Sequence, residues 1–245
     1  MQFITPPGER ETLVAAGVFV DVRGGVGGTE EWTIHHRGDG LRITRAELAN
    51  AADGSRLLVE AVERANEAGS SNWQILFDWS GSHEGAISRC RASYLITPDS
   101  VFVERVRADR APEYEDHPRP TGMLVWPLMQ ISLGALMRPL MTGPTAGPQL
   151  VVVPSLEVSG DGEQLLRPRV ECWRSNLVEV VTLPAAAPGG PERDGLRFRY
   201  TREIDMDTDD NYNTPGEVWV DEHGIPQRHR WPSRAGEVSE SVLKT

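Results

Sequence analysis

Apolar and polar residues alternate through most of the chain. Val18, Val20 and Val22 alternate with Phe19, Asp21 and Arg23, the period-two pattern of a half-buried strand. In the next run Trp32, Ile34 and His36 share one face and His35 points to the other. Trp73, Ile75, Phe77 and Trp79 alternate with Gln74, Leu76 and Asp78. Residues 85–97 predict a long strand, with Ser88, Cys90, Ala92 and Tyr94 inward and Arg89 and Arg91 outward; a strand over 101–107 follows. Further strands are predicted at 150–156, 163–174 and 177–183, around Leu196, Phe198 and Tyr200, and over 217–220 and 227–231. Turn residues punctuate them: the glycines of 24–28, Arg37-Gly38-Asp39-Gly40, Asp53-Gly54, Pro98-Asp99, Gly160-Asp161-Gly162, Ser175-Asn176 and Asp221-Glu222-His223-Gly224. Residues 1–12 read as a loose lead-in, 108–122 as a surface linker, and 142–148 and 184–195 as loops.

Two segments depart from simple alternation. Residues 44–68 carry helical spacing in Leu57, Leu58, Ala61, Val62 and Ala65, yet Asp53-Gly54 splits them as a hairpin would. Strands are assigned because the neighbours on both sides are strands. The stretch Met123–Met141 is the most apolar part of the sequence and holds four of the six methionines. Pro127 suits a first helical position and Pro139 disfavours continuation, which predicts a helix over about 127–138. Gln130, Gly134 and Arg138 form its narrow polar stripe. A helix apolar over the rest of its circumference is either a core helix or a plug over an apolar cavity, and flexible methionine suits the second.

The fold class predicted is all-β: a long antiparallel β-meander forming an open or closed barrel, with one short apolar helix plugging or covering it. A single β-rich domain over 1–245 is expected. Two related halves, 13–107 and 150–231, are suggested by Thr97-Pro98-Asp99-Ser100-Val101-Phe102-Val103-Glu104 and Thr214-Pro215-Gly216-Glu217-Val218-Trp219-Val220-Asp221.

Composition agrees and narrows the partners. The 245 residues contain 24 Gly and 18 Pro, as a turn-rich β protein does. A formal charge of −11 repels phosphate backbones, so nucleic acid is excluded as a partner. No stretch has the length and composition of a transmembrane span, because two prolines, Gln130 and Arg138 interrupt the one apolar run. No signal peptide is visible, which gives a cytoplasmic expectation, or a periplasmic or secreted one if the chain is a mature form. Cys90 and Cys172 are far apart in sequence and are expected as free core thiols.

Candidate chemistry is sparse. The glycines of 24–28 lead into a strand, so a hairpin explains them better than a phosphate cradle. Ser82-His83-Glu84 fits no nucleophile motif and is read as a turn. Asp205, Asp207 and Asp209 alternate as in a calcium loop, but Asp210 stands where that loop needs glycine, so a solvated loop is expected and no metal site. No cofactor is expected. His36 and His229 are nominated as acid–base candidates because alternation places each on a tryptophan-bearing face.

The segment Gly28-Thr29-Glu30-Glu31-Trp32, the apolar central helix and the closing run Val218–Pro226 resemble the open β-barrel lipid carriers of bacteria, of the lipoprotein-localisation and periplasmic lipoprotein type. That resemblance implies an apolar ligand held between a curved sheet and helices. The expected partner is an apolar small molecule or lipid, lined by Trp32, Trp73, Trp79, Met129, Leu133, Leu136, Met137, Trp219 and Trp231. An enzyme (isomerase, cyclase or hydrolase) using the same cavity is the first alternative. An interaction module, with a homo-oligomer formed through the helix, is the second.

Overall fold

The structure is a computed structural model that describes residues 1–21, 28–65, 71–83, 86–108, 110–142, 149–156, 163–185, 191–203, 215–232 and 238–244. Its strands are β1 (Glu11–Asp21), β2 (Thr29–Arg37), β3 (Leu41–Ala49), β4 (Arg56–Ala65), β5 (Ser71–His83), β6 (Ala86–Ile96), β7 (Ser100–Arg107) and β8 (Glu113–Pro118). They continue as β9 (Leu124–Val125), β10 (Gln149–Pro154), β11 (Pro168–Leu183), β12 (Arg193–Glu203), β13 (Gly216–Asp221), β14 (Pro226–Pro232) and β15 (Val238–Lys244). A 3-10 turn over Gln130–Ser132 leads into the helix α1 (Leu133–Thr142). The hydrogen-bonded order is β8-β7-β6-β5-β4-β3-β2-β1-β15-β14-β13-β12-β11-β10-β9 and does not close on itself. The fold class read from alternation is therefore correct.

Two compact units share the chain. The first comprises residues 1–17, 26–121 and 154–168; the second comprises 18–25, 122–153 and 169–245.

In the first unit, β2 to β8 form an antiparallel meander. Left-handed glycines make the tight turns at Gly40 and Gly54, with φ of 81° and 69°, where a side chain would be strained. Register carries one row across the sheet: Trp32, Ala46, Val59, Phe77, Ala92 and then Arg105. All six are buried. Within 44–65 the chain forms β3 to Ala49 and β4 from Arg56, joined by a turn at Asp53-Gly54, as the hairpin signal indicates. On the opposite face, a bidentate pair from Arg45 to Glu11, at 2.7 and 3.1 Å, and a 2.7 Å bond to Glu60 form a second, polar core. The linker expected at 108–122 instead contains β8, paired with β7. Ser82 and His83 belong to β5 rather than to a turn.

In the second unit, β15 lies between β1 and β14. The order then runs β13, β12, β11, β10, with β9 added in parallel to β10. Ser175-Asn176 is not a turn: β11 runs unbroken for 16 residues and absorbs its irregularity as a register shift between Leu177 and Glu179. Glu163–Leu166 is a turn rather than the start of a strand.

The helix begins and ends later than expected. Leu128 adopts a left-handed φ of 63°, so Pro127 cannot open a helix there. At the other end α1 passes through Pro139. The missing bond would have gone to the carbonyl of Ala135, and Ala135 and Pro139 are both exposed, on the solvent side of the helix, where an unpaired carbonyl costs least. Met129, Leu133 and Met137 are fully buried and Leu136 nearly so. Gly134 is the point of closest approach, because a Cβ there would lie 2.1 Å from the carbonyl oxygen of Gly224.

Candidate functional site

Two places concentrate chemistry, one in each unit. In the second unit, a row of aromatic rings runs over β11, β12 and β14. Trp173 stacks on Tyr200 at 5.4 Å with 9° between the planes, and His229 stacks on Trp231 at 4.6 Å. Tyr200 and His229 sit on strands separated by β13. They meet because the residue of β13 opposite Tyr200 is Gly216, where a Cβ would fall 2.4 Å from the tyrosine ring. The Tyr200 hydroxyl and His229 Nε2 are hydrogen-bonded at 2.6 Å.

Both groups are held neutral. Burial, assisted by the nearby Arg202 charge, pushes His229 down to about 3, and burial pushes Tyr200 up to about 12. His229 Nδ1 is buried with no hydrogen-bond partner among the described residues. Beside the pair, Glu171 is fully buried. Burial favours its protonated form, but hydrogen bonds and charge from Arg202, and charge from Arg169, hold its pKa below the usual range. Arg202 lies 5.0 and 5.3 Å from the Trp173 and Trp126 ring centres. The helix seats on the same face: Ser175 Oγ donates to Met137 Sδ at 3.4 Å, and Ser241 bonds Gln130.

In the first unit, a groove of about 500 Å³ lies on the polar face of β4 to β7, with Phe3 and Ile4 of the lead-in along one side. Leu58, Leu76 and Val106 line it together with Asp78, Arg89, Arg91 and Glu104. Asp78 accepts from Arg89 at 2.9 Å and from Arg91 at 3.1 Å. Around it Leu95, Phe102 and Tyr114 are exposed, the last two with rings 6.3 Å apart.

The nominated residues fall as follows. His229 is inward, as alternation predicts, and beside Trp231. His36 is exposed and not inward, whereas His35, on the other face of β2 as alternation predicts, is buried against Arg45. Met129, Leu133, Leu136 and Met137 come together on the buried side of the helix region. Trp32 and Trp79 are buried in the first unit and Trp73 is half-buried there. Trp219 lies on the opposite face of β13 from Val218 and Val220, with the Arg228 guanidinium 4.8 Å from its ring centre. Asp205, Asp207 and Asp209 lie outside the described residues, as do most of the glycines of 24–28. Among the described residues no group of three or more His, Cys, Asp or Glu is placed to hold a metal ion, and no helix is long and apolar enough to cross a membrane. Cys90 is buried, Cys172 half-buried, and both are free thiols.

Sequence reasoning missed two residues. Tyr200 was legible only as an inward strand position; Gly216 on the intervening strand was the available sign that it reaches further. Arg105 follows Val101 and Val103 at inward spacing, so a buried arginine was readable there.

No family model and no curated protein matches the chain. Among solved structures it is similar to a crystal structure from Brucella abortus, described as a beta-barrel-like protein of domain of unknown function DUF1849. The TM-score is 0.51 at 10% identity, and the match covers 94% of each chain. At that identity the likeness defines a class, the β-barrel-like fold. The barrel part of the resemblance read from sequence is thereby supported, and the lipid-carrier part is not.

Proposed function

We propose that this protein binds an apolar small molecule or lipid. The observation that carries the reading is the groove on β4 to β7, whose volume is in the range of small-molecule sites and whose walls mix leucine and valine with a few charged groups. The helix is a poorer place for the ligand than the sequence suggests. Its methionines are fully buried and Gly134 is seated against Gly224 with no space for a methyl group.

Acid–base catalysis is disfavoured. A base held at about 3 carries little driving force for proton abstraction near neutrality, and an acid at about 12 donates poorly. An interaction module draws some support from the exposed Phe102–Tyr114 pair, and light scattering of the purified protein tests it. The ligand reading is tested by displacement of a fluorescent fatty acid. Leu76→Gln places a polar group in the groove and should weaken the probe by roughly tenfold, about the worth of one buried leucine contact surface, at nearly unchanged melting temperature. Unchanged affinity in Leu76→Gln but weakened affinity in the Met129→Ala, Met137→Ala double variant moves the ligand to the helix. No binding by any lipid class overturns the reading.

A further inference from the structure

The apolar face of the first unit carries three fully buried hydrogen-bond donors around Ala92, with Glu113 opposite Arg105 on the next strand. Arg105, Tyr94 and Cys90 are all 1% exposed or less. They come from adjacent strands: register sets Ala92 of β6 opposite Arg105 of β7, with Cys90 and Tyr94 two residues to either side on the same face. Each is directed at one short turn. The Tyr94 hydroxyl donates to the Leu166 carbonyl at 2.6 Å. Arg105 Nη1 donates to the Leu165 carbonyl at 2.9 Å and to the Glu163 carbonyl. The Cys90 thiol points to the Leu165 carbonyl at 3.8 Å. Burial keeps the thiol and the phenol protonated, with Cys90 pushed up to about 11, so both remain donors at neutral pH.

The turn that meets them is oddly made. Leu165 and Leu166 are buried, yet Leu166 takes a left-handed φ of 57°, a region that disfavours side chains like leucine. The segment is tied back on itself, with Ser155 N–H donating to the Arg167 carbonyl at 2.8 Å and Leu166 N–H to the Ser155 carbonyl at 2.7 Å. Arg167 reaches Glu115 at 3.2 Å from outside. In the contacts to this turn the three sheet residues donate and the carbonyls of Glu163, Leu165 and Leu166 accept, with two branched apolar side chains beside them.

We propose that Leu165 and Leu166 occupy a ligand site of the first unit, and that an apolar molecule with an acceptor-only oxygen head, a carboxylate or an ester, takes their place. Its head oxygens replace the carbonyls of Leu165 and Leu166 on Tyr94 and Arg105, and its tail replaces the leucine side chains against the apolar row. The left-handed Leu166 is released as the ligand enters. Arg105 keeps its bond to Glu113 throughout, so no bare guanidinium is left behind. This site is on the face opposite the groove, and either can fail without the other.

The test titrates the full chain with dodecanoic acid, methyl dodecanoate and dodecane, and follows amide hydrogen exchange. The acid, the ester or both should speed exchange at the Leu166 amide, and dodecane should not. The Leu165→Ala, Leu166→Gly double variant, which weakens the occupying turn, should bind the active probe several-fold more tightly, because less of the binding energy goes into displacing it. Tyr94→Phe keeps the ring and removes one donor, and should weaken the same probe by roughly fivefold, about one net hydrogen bond. Binding that leaves Leu166 exchange unchanged overturns the proposal while leaving the groove reading intact. So does equal binding of dodecane, or a double variant that only melts lower and gains no affinity.

Discussion

Tyr200 and His229 have a consequence for acid stability. The folded pKa of His229 is depressed to about 3 from an ordinary 6.5, so the unfolded chain takes up a proton first as pH falls. Stability held above the unfolded value is therefore lost as pH drops through the window from about 6.5 toward about 3, by up to roughly 1.4 kcal/mol per pH unit. Thermal melts of the wild type and His229→Gln should show the steeper acid loss in the wild type; parallel curves would mean that another group governs the acid side. Alternation placed both residues inward. Their contact was not readable, because it depends on a glycine in a third strand removing the obstacle between them. His36 shows the opposite failure. Its neighbour His35 is buried on the other face against the Arg45–Glu11–Glu60 cluster, and a polar core on the second face of a sheet leaves no hydrophobic alternation to read.

Elements were legible where one face is apolar. β5, β6, β12 and β13 follow the expected spacing. β15 was missed because its inward positions are Ser239 and Ser241, both buried, so the strand lacks the apolar period that marks the others. β8 was missed because it reads Glu-Tyr-Glu-Asp-His-Pro. That composition is suited to an edge: acidic side chains and a terminal proline discourage a further strand from pairing there. At the helix, the polar stripe read from the sequence includes Gly134, whose role is close approach and not solvation. Gly134→Ala should therefore destabilise the protein by about 1–3 kcal/mol through overpacking against backbone, seen as a lower melting temperature. Unchanged melting would show that the helix can lift from the β13–β14 turn at no cost.

At the scale of the molecule, a meander with one helix was visible in the sequence, and the partition into units was not. Alternation reports which face is buried, but not which distant segment buries it. Residues 154–168 illustrate this: they follow β10 of the second unit and belong to the first. The same limit hid the position of β15, which pairs Ser241 and Lys244 with Asp21 and Val18 on one side and Arg228–Pro232 on the other. Deleting 238–244 should leave β1 and β14 with open edges, and the shortened chain should scatter light and lose strand signal in circular dichroism. A deletion that stays monomeric with full strand content would show that β15 is dispensable. The pairing also orders events in time. As the chain is made, the second half of β1 emerges long before β15, so the edge of Val18–Asp21 that β15 covers stays open while β2 to β14 are synthesised. Throughout that delay the nascent chain carries an open strand edge, and slowing translation ahead of β15 lengthens its exposure to chaperones and to neighbouring nascent chains.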